Sequence, residues 1–166
     1  MFELRGSKKK RYFNNILEKF FPQEIDVYVE PFGGTFNIGN FLKDRPDTKV
    51  YNDINNYQID IDADYIHFID YKDIFEMYDS PNTLFYLDPP YYGREDLYEL
   101  KKDDTDFHIE LCEKIKKLKG KVIISYETHP FIKSLYKDFN IYTNEDQDHP
   151  SLKRELVITN FNILDN

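Results

Sequence analysis

The feature that most constrains this chain is a short apolar run that leads directly into an acid, two prolines and a tyrosine. Thr83-Leu84-Phe85-Tyr86-Leu87 has the composition of a β-strand and is followed by Asp88-Pro89-Pro90-Tyr91. A strand cannot continue through two prolines, because neither has a backbone N–H and both have a fixed φ. We therefore expect the strand to end at Asp88, at the carboxyl edge of a sheet, where α/β proteins bind ligands. An Asp that only begins a tight turn explains the Asp-Pro-Pro triplet equally well.

Strands and helices alternate along the rest of the chain. Apolar runs predict strands over residues 26–30, 49–55, 66–69, 83–87, 121–126, 140–143 and 155–161. Amphipathic or capped stretches predict helices over residues 8–21, 36–43, 70–78 (after a turn), 104 or 105 to 119, and 130–139. This order is typical of a mostly parallel sheet flanked by helices, which is an α/β fold. No repeat or linker divides the 166 residues, so we expect a single domain over residues 1–166.

A glycine loop follows the first predicted strand. In Pro31-Phe32-Gly33-Gly34 the glycines allow the backbone to turn tightly and to approach a ligand closely before the next helix. The second strand ends near Asp53, 19 positions after Gly34. An acid about 20 residues after such a loop binds ribose hydroxyls in dinucleotide-binding sheets. On their own, the loop and the acid are a weak indication of a nucleotide-like ligand.

Composition indicates which class of protein this is and in which compartment it is expected. With 40% hydrophobic and 17% aromatic residues the chain is globular, and its single cysteine, Cys112, excludes an internal disulfide. There is neither a secretory start nor an apolar run of about 20 residues, so we expect a cytoplasmic protein without a membrane partner. The histidines lack metal-ligand spacing, and we expect no metal site.

Charge does not decide whether the chain binds nucleic acid. The formal net charge of −9 disfavours such binding, because contacts to phosphate dominate it. Residues 1–22 nevertheless contain six Lys or Arg and only two Glu. These residues form either a local basic patch that meets DNA or the solvated face of a helix.

Taken together and in this order, the motifs resemble those of the Dam-type family of DNA adenine-N6 methyltransferases. The matching segments are Gly6-Ser7-Lys8, Glu30-Pro31-Phe32-Gly33-Gly34, Asn52-Asp53-Ile54-Asn55, Asp73, Asp88-Pro89-Pro90-Tyr91, Ser125-Tyr126 and residues 155–161. The resemblance covers nearly the whole chain. It implies the Rossmann-like class I fold of S-adenosylmethionine-dependent methyltransferases, with a seven-stranded, mostly parallel sheet, an antiparallel last strand and helices on both faces.

The resemblance implies that Asp88, Pro89, Pro90 and Tyr91 form the catalytic tetrapeptide. The Asp88 carboxylate and the Pro89 carbonyl would accept hydrogen bonds from N6 of adenine, and the two prolines would keep the turn rigid. Tyr91 would stack on a target base that is flipped out of the duplex or single-stranded. Tyr92 is either a second stacking platform or a core residue, and we favour the core.

The resemblance also implies a site for S-adenosylmethionine. The expected cofactor-binding residues are Lys8, Glu30, Pro31, Phe32, Gly33, Gly34, Asp53, Ile54 and Asp73. Glu30 and Lys8 would lie near the ammonium and carboxylate groups of the cofactor, directly or through water, and Phe32 would lie against its methionine portion.

The nucleoside end of the cofactor would be bound by Asp53, Ile54 and Asp73. Asp53 would hold the ribose hydroxyls, Ile54 would cover one face of the adenine, and Asp73 would accept a hydrogen bond from the adenine amino group. Considered singly, Asp53 is also explained as a strand-end cap, Asp73 is explained equally well as a helix cap, and Lys8 is better explained as a solvated charge. The ordered set of motifs favours the cofactor.

Two departures from the family pattern bear on function. Phe36 stands where the family loop usually has a third glycine, which implies altered or weaker cofactor binding. Only the ten residues 56–65 occupy the place where the family usually inserts a target-recognition region. We therefore expect relaxed or partner-supplied sequence specificity. The candidate DNA-facing residues are Lys9, Lys10, Arg11, Arg94, Lys101, Lys102, Lys153 and Arg154.

The sequence thus predicts a minimal adenine-specific DNA methyltransferase of phage or bacterial type, with DNA as its partner. Two alternatives remain open. In the first, the same site methylates an amino group of RNA or protein. In the second, the chain is a non-catalytic methyltransferase-like module of a larger complex.

Overall fold

A single seven-stranded sheet organises the molecule. The computed structural model describes residues 10–42, 46–93, 105–145, 148 and 150–163. The strands are β1 Val27–Glu30, β2 Thr48–Asn52, β3 Tyr65–His67, β4 Thr83–Leu87, β5 Lys121–Glu127, β6 Asn140–Thr143 and β7 Glu155–Thr159. Their order is β3-β2-β1-β4-β5-β7-β6, and only β7 runs antiparallel to its neighbours, β5 and β6. The predicted fold class is confirmed.

The helices lie where the sequence predicts them, but most are shorter. They are α1 Lys10–Tyr12, α2 Asn37–Phe41, α3 Tyr71–Tyr78, α4 Thr105–Ile115, α5 Pro130–Leu135 and α6 Pro150–Lys153. The last of these was not predicted. In the described part of the chain no helix is long and apolar enough to cross a membrane.

The first helical segment, residues 10–20, is less regular than its sequence pattern indicates. After α1 it widens into a π-helical turn at Phe13–Leu17 and tightens into a 3₁₀ turn at Glu18–Phe20. The predicted apolar stripe is nonetheless buried along its length, apart from Phe21, which is half-buried before Pro22. The stripe consists of Tyr12, Phe13, Ile16, Leu17 and Phe20.

Each face of the sheet carries its own apolar core. On one face, strand residues such as Val29 and Phe85 pack with α3, α4 and α5. On the other face, alternate residues such as Tyr28 and Tyr86 pack with the first helical segment and residues near α2. All five residues of β4 are buried, because the strand is covered on both sides.

Candidate active site

The carboxyl ends of three neighbouring strands form the candidate site. In the sheet, β1 lies between β2 and β4, and the register places the residues that follow these strands at the same edge. The chain runs from β1 to β2 and β3 on one side and then crosses to β4 on the other side of β1. This reversal makes the edge a topological switch point, where open α/β sheets bind ligands. We call residues 30–34 with 52–55 the glycine-loop side, and residues 88–91 with Ser125, Tyr126 and Glu155 the tetrapeptide side.

The two glycines of the loop meet different physical requirements. Gly33 lies against β2, where its N–H donates to the Asn52 carbonyl at 2.7 Å, and a Cβ there would lie 2.3 Å from the Tyr51 ring. Gly34 has no such neighbour but adopts φ +51°, and its N–H donates to Asp53 Oδ2 at 3.0 Å. Position 33 requires glycine because a Cβ there would clash with the Tyr51 ring. Position 34 favours glycine because its backbone is left-handed.

Asn52 joins the ends of three strands. Its side-chain Nδ2 donates to the carbonyls of Pro31 and Ile69, both at 3.0 Å, and its Oδ1 accepts from the Ile69 N–H at 3.1 Å. The side chain is fully buried. Sequence reasoning included Asn52 in a motif but gave it no role, since neither partner is near it in the chain. β2 ends here rather than at residue 55 as predicted, because Asp53 begins a local turn.

Asp53 lies at the edge where the resemblance expects a ribose-binding acid. Its carboxylate accepts from the N–H groups of Gly34 and Asn55 at 3.0 and 2.9 Å. Burial raises the pKa of Asp53, and these hydrogen bonds lower it in part. The next side chain, Ile54, is 67% exposed, which leaves a large apolar group beside the acid for a flat ring to cover.

Asp73 lies in the first turn of α3, but it is not the residue that caps the helix. Asp70 is the N-cap, and its side chain accepts from the Lys72 N–H at 2.9 Å. The Asp73 side chain is exposed. Capping therefore does not explain this acid, and its contact with an adenine amino group stays a prediction.

Phe32 packs in an aromatic group behind the loop. Its ring centroid lies 5.3 Å from Tyr71 and 6.1 Å from Phe107, and the side chain is half-buried. Pro31, the residue before it, is buried. Phe32 lies just beyond the end of β1, and its contact with the methionine portion of a cofactor stays a prediction. Lys8 lies outside the described residues.

Phe36 occupies a conformation that favours glycine. Its φ of 54° and ψ of 31° are left-handed, which explains why a glycine is expected there. The buried Phe36 ring packs edge-on against Tyr51, with centroids 5.5 Å apart, and covers the Cα of Gly39. The Phe36 ring is therefore packed in the core beside the loop, and altered or weaker cofactor binding stays a prediction.

Glu30 is buried and bonded inside the protein. One carboxylate oxygen, Oε1, accepts from the Tyr28 hydroxyl and from the Gly39 N–H, both at 2.7 Å. Burial raises the pKa of Glu30 to about 8, the two hydrogen bonds oppose this shift, and the charge of Asp88 adds to it. Its contact with a cofactor ammonium group stays a prediction.

The tetrapeptide begins at the end of β4, as predicted. Asp88 is partly exposed and Pro89 is buried. The Tyr91 hydroxyl donates to Glu155 Oε2 at 2.8 Å, and the Tyr91 ring centroid lies 6.2 Å from that of Tyr126. The ring of Tyr91 is thus held by β5 and β7, a contact that the sequence did not reveal.

Three buried hydroxyl groups link the first helical segment to β4 and β5. Ser125 Oγ lies 2.6 Å from the Tyr12 hydroxyl and 2.9 Å from the Tyr86 hydroxyl. Burial raises the pKa of both phenols well above the usual value, so both stay protonated.

Tyr92, beyond the tetrapeptide, packs against the rings of Phe131 and His129 at 4.5 and 4.8 Å. It contributes to the core, as we favoured.

Most of the candidate DNA-facing side chains lie outside the described part of the chain. The residues at 9, 94, 101 and 102 lie outside the described residues, as does the side chain at 11. Lys10, Lys153 and Arg154 are exposed. Among the residues that the structure describes, no group of three His, Cys, Asp or Glu side chains is arranged to hold a metal ion.

The sequence pattern of one protein family matches residues 60–149, which is more than half of the chain and includes β4 and the tetrapeptide. That family is the D12 class of N6 adenine-specific DNA methyltransferases. The chain belongs to this class. The glycine loop and Asp53 of the D12-class chain precede the matched residues. No protein of curated function matches it in sequence.

The D12-class chain shares its fold with solved structures of low sequence identity. One, described as a SAM-dependent methyltransferase from Streptococcus mutans, has a TM-score of 0.53 and 15% identity over 86% of this chain. This chain spans 46% of that protein. A second structure, described as the methyltransferase yhhF from Escherichia coli, has a TM-score of 0.55 and 10% identity. The match covers 90% of this chain and 82% of the yhhF chain.

A third structure, SMU.1697c from Streptococcus mutans, is described as a methyltransferase and was solved in complex with SAH. It has a TM-score of 0.53 and 9% identity, covering 92% of this chain and 97% of its own. At these identities the likeness establishes the fold alone.

Proposed function

We propose that the protein transfers a methyl group from S-adenosylmethionine to N6 of adenine in DNA. The observation that carries this proposal is the adjacency of two strand ends. β1, which leads into the glycine loop, pairs directly with β4, which ends at Leu87, directly before Asp88. Membership of the D12 class supports adenine in DNA as the target.

The glycine-loop side has the features that a bound nucleoside needs. Gly33 and Gly34 bring backbone close to the edge of the sheet, Asp53 supplies carboxylate oxygens there, and Ile54 exposes an apolar side chain beside them. We assign the ribose hydroxyls to Asp53, one face of the cofactor's adenine to Ile54 and the adenine amino group to Asp73. Phe32, Glu30 and Lys8 are assigned to the methionine portion, as the resemblance implies.

When it is bound, S-adenosylmethionine supplies an electrophilic methyl group with a good leaving group, so no metal is needed. The protein's task is to make the weakly nucleophilic N6 of adenine available. The Asp88 carboxylate and the Pro89 carbonyl accept hydrogen bonds from the two N6 hydrogens, which favours a tetrahedral nitrogen with a localised lone pair. The turn is rigid before the substrate arrives, because Pro89 and Pro90 fix it, and such alignment is worth several kcal/mol.

The target base must leave the helix or start single-stranded to reach this edge. Tyr91 provides an aromatic ring next to Asp88 on which an extruded base can stack. Only a short, acidic loop, with Asp60, Asp62 and Asp64 exposed, joins β2 to β3. It offers no basic surface for reading DNA, which supports relaxed specificity or a protein partner that supplies it.

The test is to incubate the protein with S-adenosylmethionine carrying a deuterated methyl group and to identify the product. Separate reactions would contain unmethylated duplex DNA, heat-denatured DNA, total RNA and a protein mixture, followed by mass spectrometry of nucleosides and peptides. We expect labelled N6-methyladenine in DNA. Label only in RNA or protein would favour the alternative substrates, and S-adenosylmethionine binding without transfer to any of them would contradict the proposed activity.

A further inference from the structure

Tyr91 is held by a residue from the far end of the chain. Its hydroxyl donates to Glu155 Oε2 at 2.8 Å, across 64 positions of sequence. Glu155 is the first residue of β7, which pairs with β5 and with β6 and therefore has a fixed place in the sheet. The acceptor is attached to the rigid sheet rather than to a loop.

The hydroxyl of Tyr91 is a donor throughout the range of pH in which proteins work. Burial, the charge of Asp88 and the charge of Glu155 all raise the pKa of Tyr91 well above its usual value. The phenol therefore stays protonated, and the carboxylate of Glu155 is an acceptor for it. A hydrogen bond to an ionised acceptor is about twice as strong as a neutral one.

The other side of the Tyr91 ring is also supported. The Tyr126 ring lies 6.2 Å away, and the Tyr126 hydroxyl is 2.8 Å from His108 Nδ1 in the core. The Tyr91 ring thus has a packed neighbour and a bonded hydroxyl. Swinging the side chain about its Cα–Cβ bond would break the bond to Glu155, and the packed Tyr126 ring restricts rotation of the ring plane.

The acid at position 155 also has an electrostatic disadvantage. In the antiparallel register Glu155 lies directly opposite Glu127 on β5, and like charges that face each other across strands are destabilising. Arg154 offsets this weakly, since its Nη1 lies 3.9 Å from Glu127 Oε1 with an exposed side chain. A residue whose only task was packing would not need a carboxylate here.

We propose that Glu155 is a positioning residue that fixes the ring of Tyr91 in the orientation in which it stacks on the target adenine. This inference rests on the proposed function. Glu155 acts through Tyr91 and does not touch the reacting atoms.

The experiment compares four single variants, and the double variant Tyr91→Phe/Glu155→Ala, with the wild-type protein in single-turnover methyl transfer to denatured, unmethylated DNA. Tyr91→Phe removes the donor, Glu155→Ala removes the acceptor, and Glu155→Gln keeps an acceptor oxygen without the charge. Glu127→Ala is the matched control, since it removes the opposite carboxylate. Calorimetry with S-adenosylmethionine and circular dichroism accompany each variant.

We expect Tyr91→Phe and Glu155→Ala each to lower the transfer rate about 10-fold with unchanged cofactor affinity. The double variant should lose no more than either single variant, because both remove the same bond. Glu155→Gln should recover most of the rate, and Glu127→Ala should match the wild type. Multiplicative losses in the double variant, or a Glu155→Ala protein with the wild-type rate, would overturn the proposal.

A second measurement separates this inference from the proposed function. In protein labelled with fluorotyrosine, the ¹⁹F resonance that disappears in Tyr91→Phe belongs to Tyr91. We expect it to shift in Glu155→Ala and to stay in place in Glu127→Ala. If it does not shift, the positioning contact is wrong. If the wild type transfers no methyl to adenine, the proposed function and the catalytic part of this inference both fail.

Discussion

The two sides of the site are built from different kinds of contact. On the glycine-loop side, backbone groups provide most of the bonds: Gly33 to the Asn52 carbonyl, Gly34 to Asp53, and Asn52 to the backbone of Pro31 and Ile69. On the tetrapeptide side, side chains bond to side chains, as Tyr91 does to Glu155 and Tyr12 to Ser125.

This difference predicts different sensitivities to substitution. Backbone bonds between adjacent strand ends depend on close approach, so one added methyl group disturbs several of them. A side-chain pair loses one bond when one partner changes, which typically lowers stability by about 1 kcal/mol. The glycine-loop side should therefore be the more fragile in stability and in cofactor binding. The tetrapeptide side should lose rate before it loses stability.

The largest effect should come from Gly33→Ala. Its Cβ would lie 2.3 Å from the Tyr51 ring and 3.0 Å from the Asn52 carbonyl oxygen, and the ring is held by Phe36 and by a bond to Gly34. We expect the free energy of unfolding to fall by about 3 kcal/mol and S-adenosylmethionine to bind about 100-fold more weakly. Urea denaturation and calorimetry measure the two effects.

Gly34→Ala is the matched control for Gly33→Ala. No atom lies within 4 Å of its added Cβ, so only the left-handed backbone at φ +51° opposes it. We expect a loss of about 1 kcal/mol in the free energy of unfolding. Equal losses at the two glycines would show that contact with β2 does not distinguish them.

Asn52→Ala should have the next largest effect. It leaves the carbonyls of Pro31 and Ile69 and the Ile69 N–H without their partner in a buried site. We expect a loss of about 2 kcal/mol in the free energy of unfolding. Asn55→Ala, which removes an exposed bond to Tyr57, should change it by less than about 0.5 kcal/mol. An Asn52→Ala protein with an unchanged free energy of unfolding would contradict the inference that this amide links the strand ends.

The buried Glu30 should make stability depend on pH. Its folded pKa of about 8 lies above the ordinary value of 4.5, so between these values the folded state holds a proton that the unfolded state has lost. Stability from this group is therefore present below pH 4.5 and is lost as pH rises toward about 8. We expect Glu30→Gln to flatten this slope in urea denaturation from pH 5 to pH 8. An unchanged slope would contradict the assignment.

The smallest effect should come from the hydroxyl groups around Ser125. Tyr12→Phe removes one bond, that to Ser125 Oγ, and should lower the free energy of unfolding by about 1 kcal/mol. Tyr65→Phe, on an exposed ring at β3, should leave it unchanged. A double-mutant cycle of Tyr12→Phe with Ser125→Ala measures the coupling between the two side chains, and strictly additive losses would argue against it.

Sequence was most informative where local chemistry decides the structure. The bounds of β4 and β6 were predicted without error, because prolines or turn residues end an apolar run there. α6 was missed, because no element was predicted between β6 and β7, although proline is favoured at the first position of a helix. The predicted helices at α4 and α5 were too long, since apolar spacing continues beyond the last helical turn.

The contacts that complete the site were out of reach of the sequence. Tyr91 and Glu155 are 64 positions apart, and Tyr12 and Ser125 are 113 apart, so nothing local marks them as partners. Glu30 is a partial exception. Tyr28 lies two residues away on the same strand, and the period of a strand places both side chains on one face. That spacing is consistent with the internal bond that the structure shows.

The most direct test of the account is made on Asp88→Asn. One preparation would be titrated with S-adenosylmethionine by calorimetry and then assayed for single-turnover transfer to adenine in denatured DNA. If the glycine-loop side binds the cofactor and the tetrapeptide side activates N6, the dissociation constant should stay within about threefold while transfer falls by about 100-fold or more. Transfer at the wild-type rate, or lost cofactor binding in a folded protein, would contradict the division of the site into these two sides.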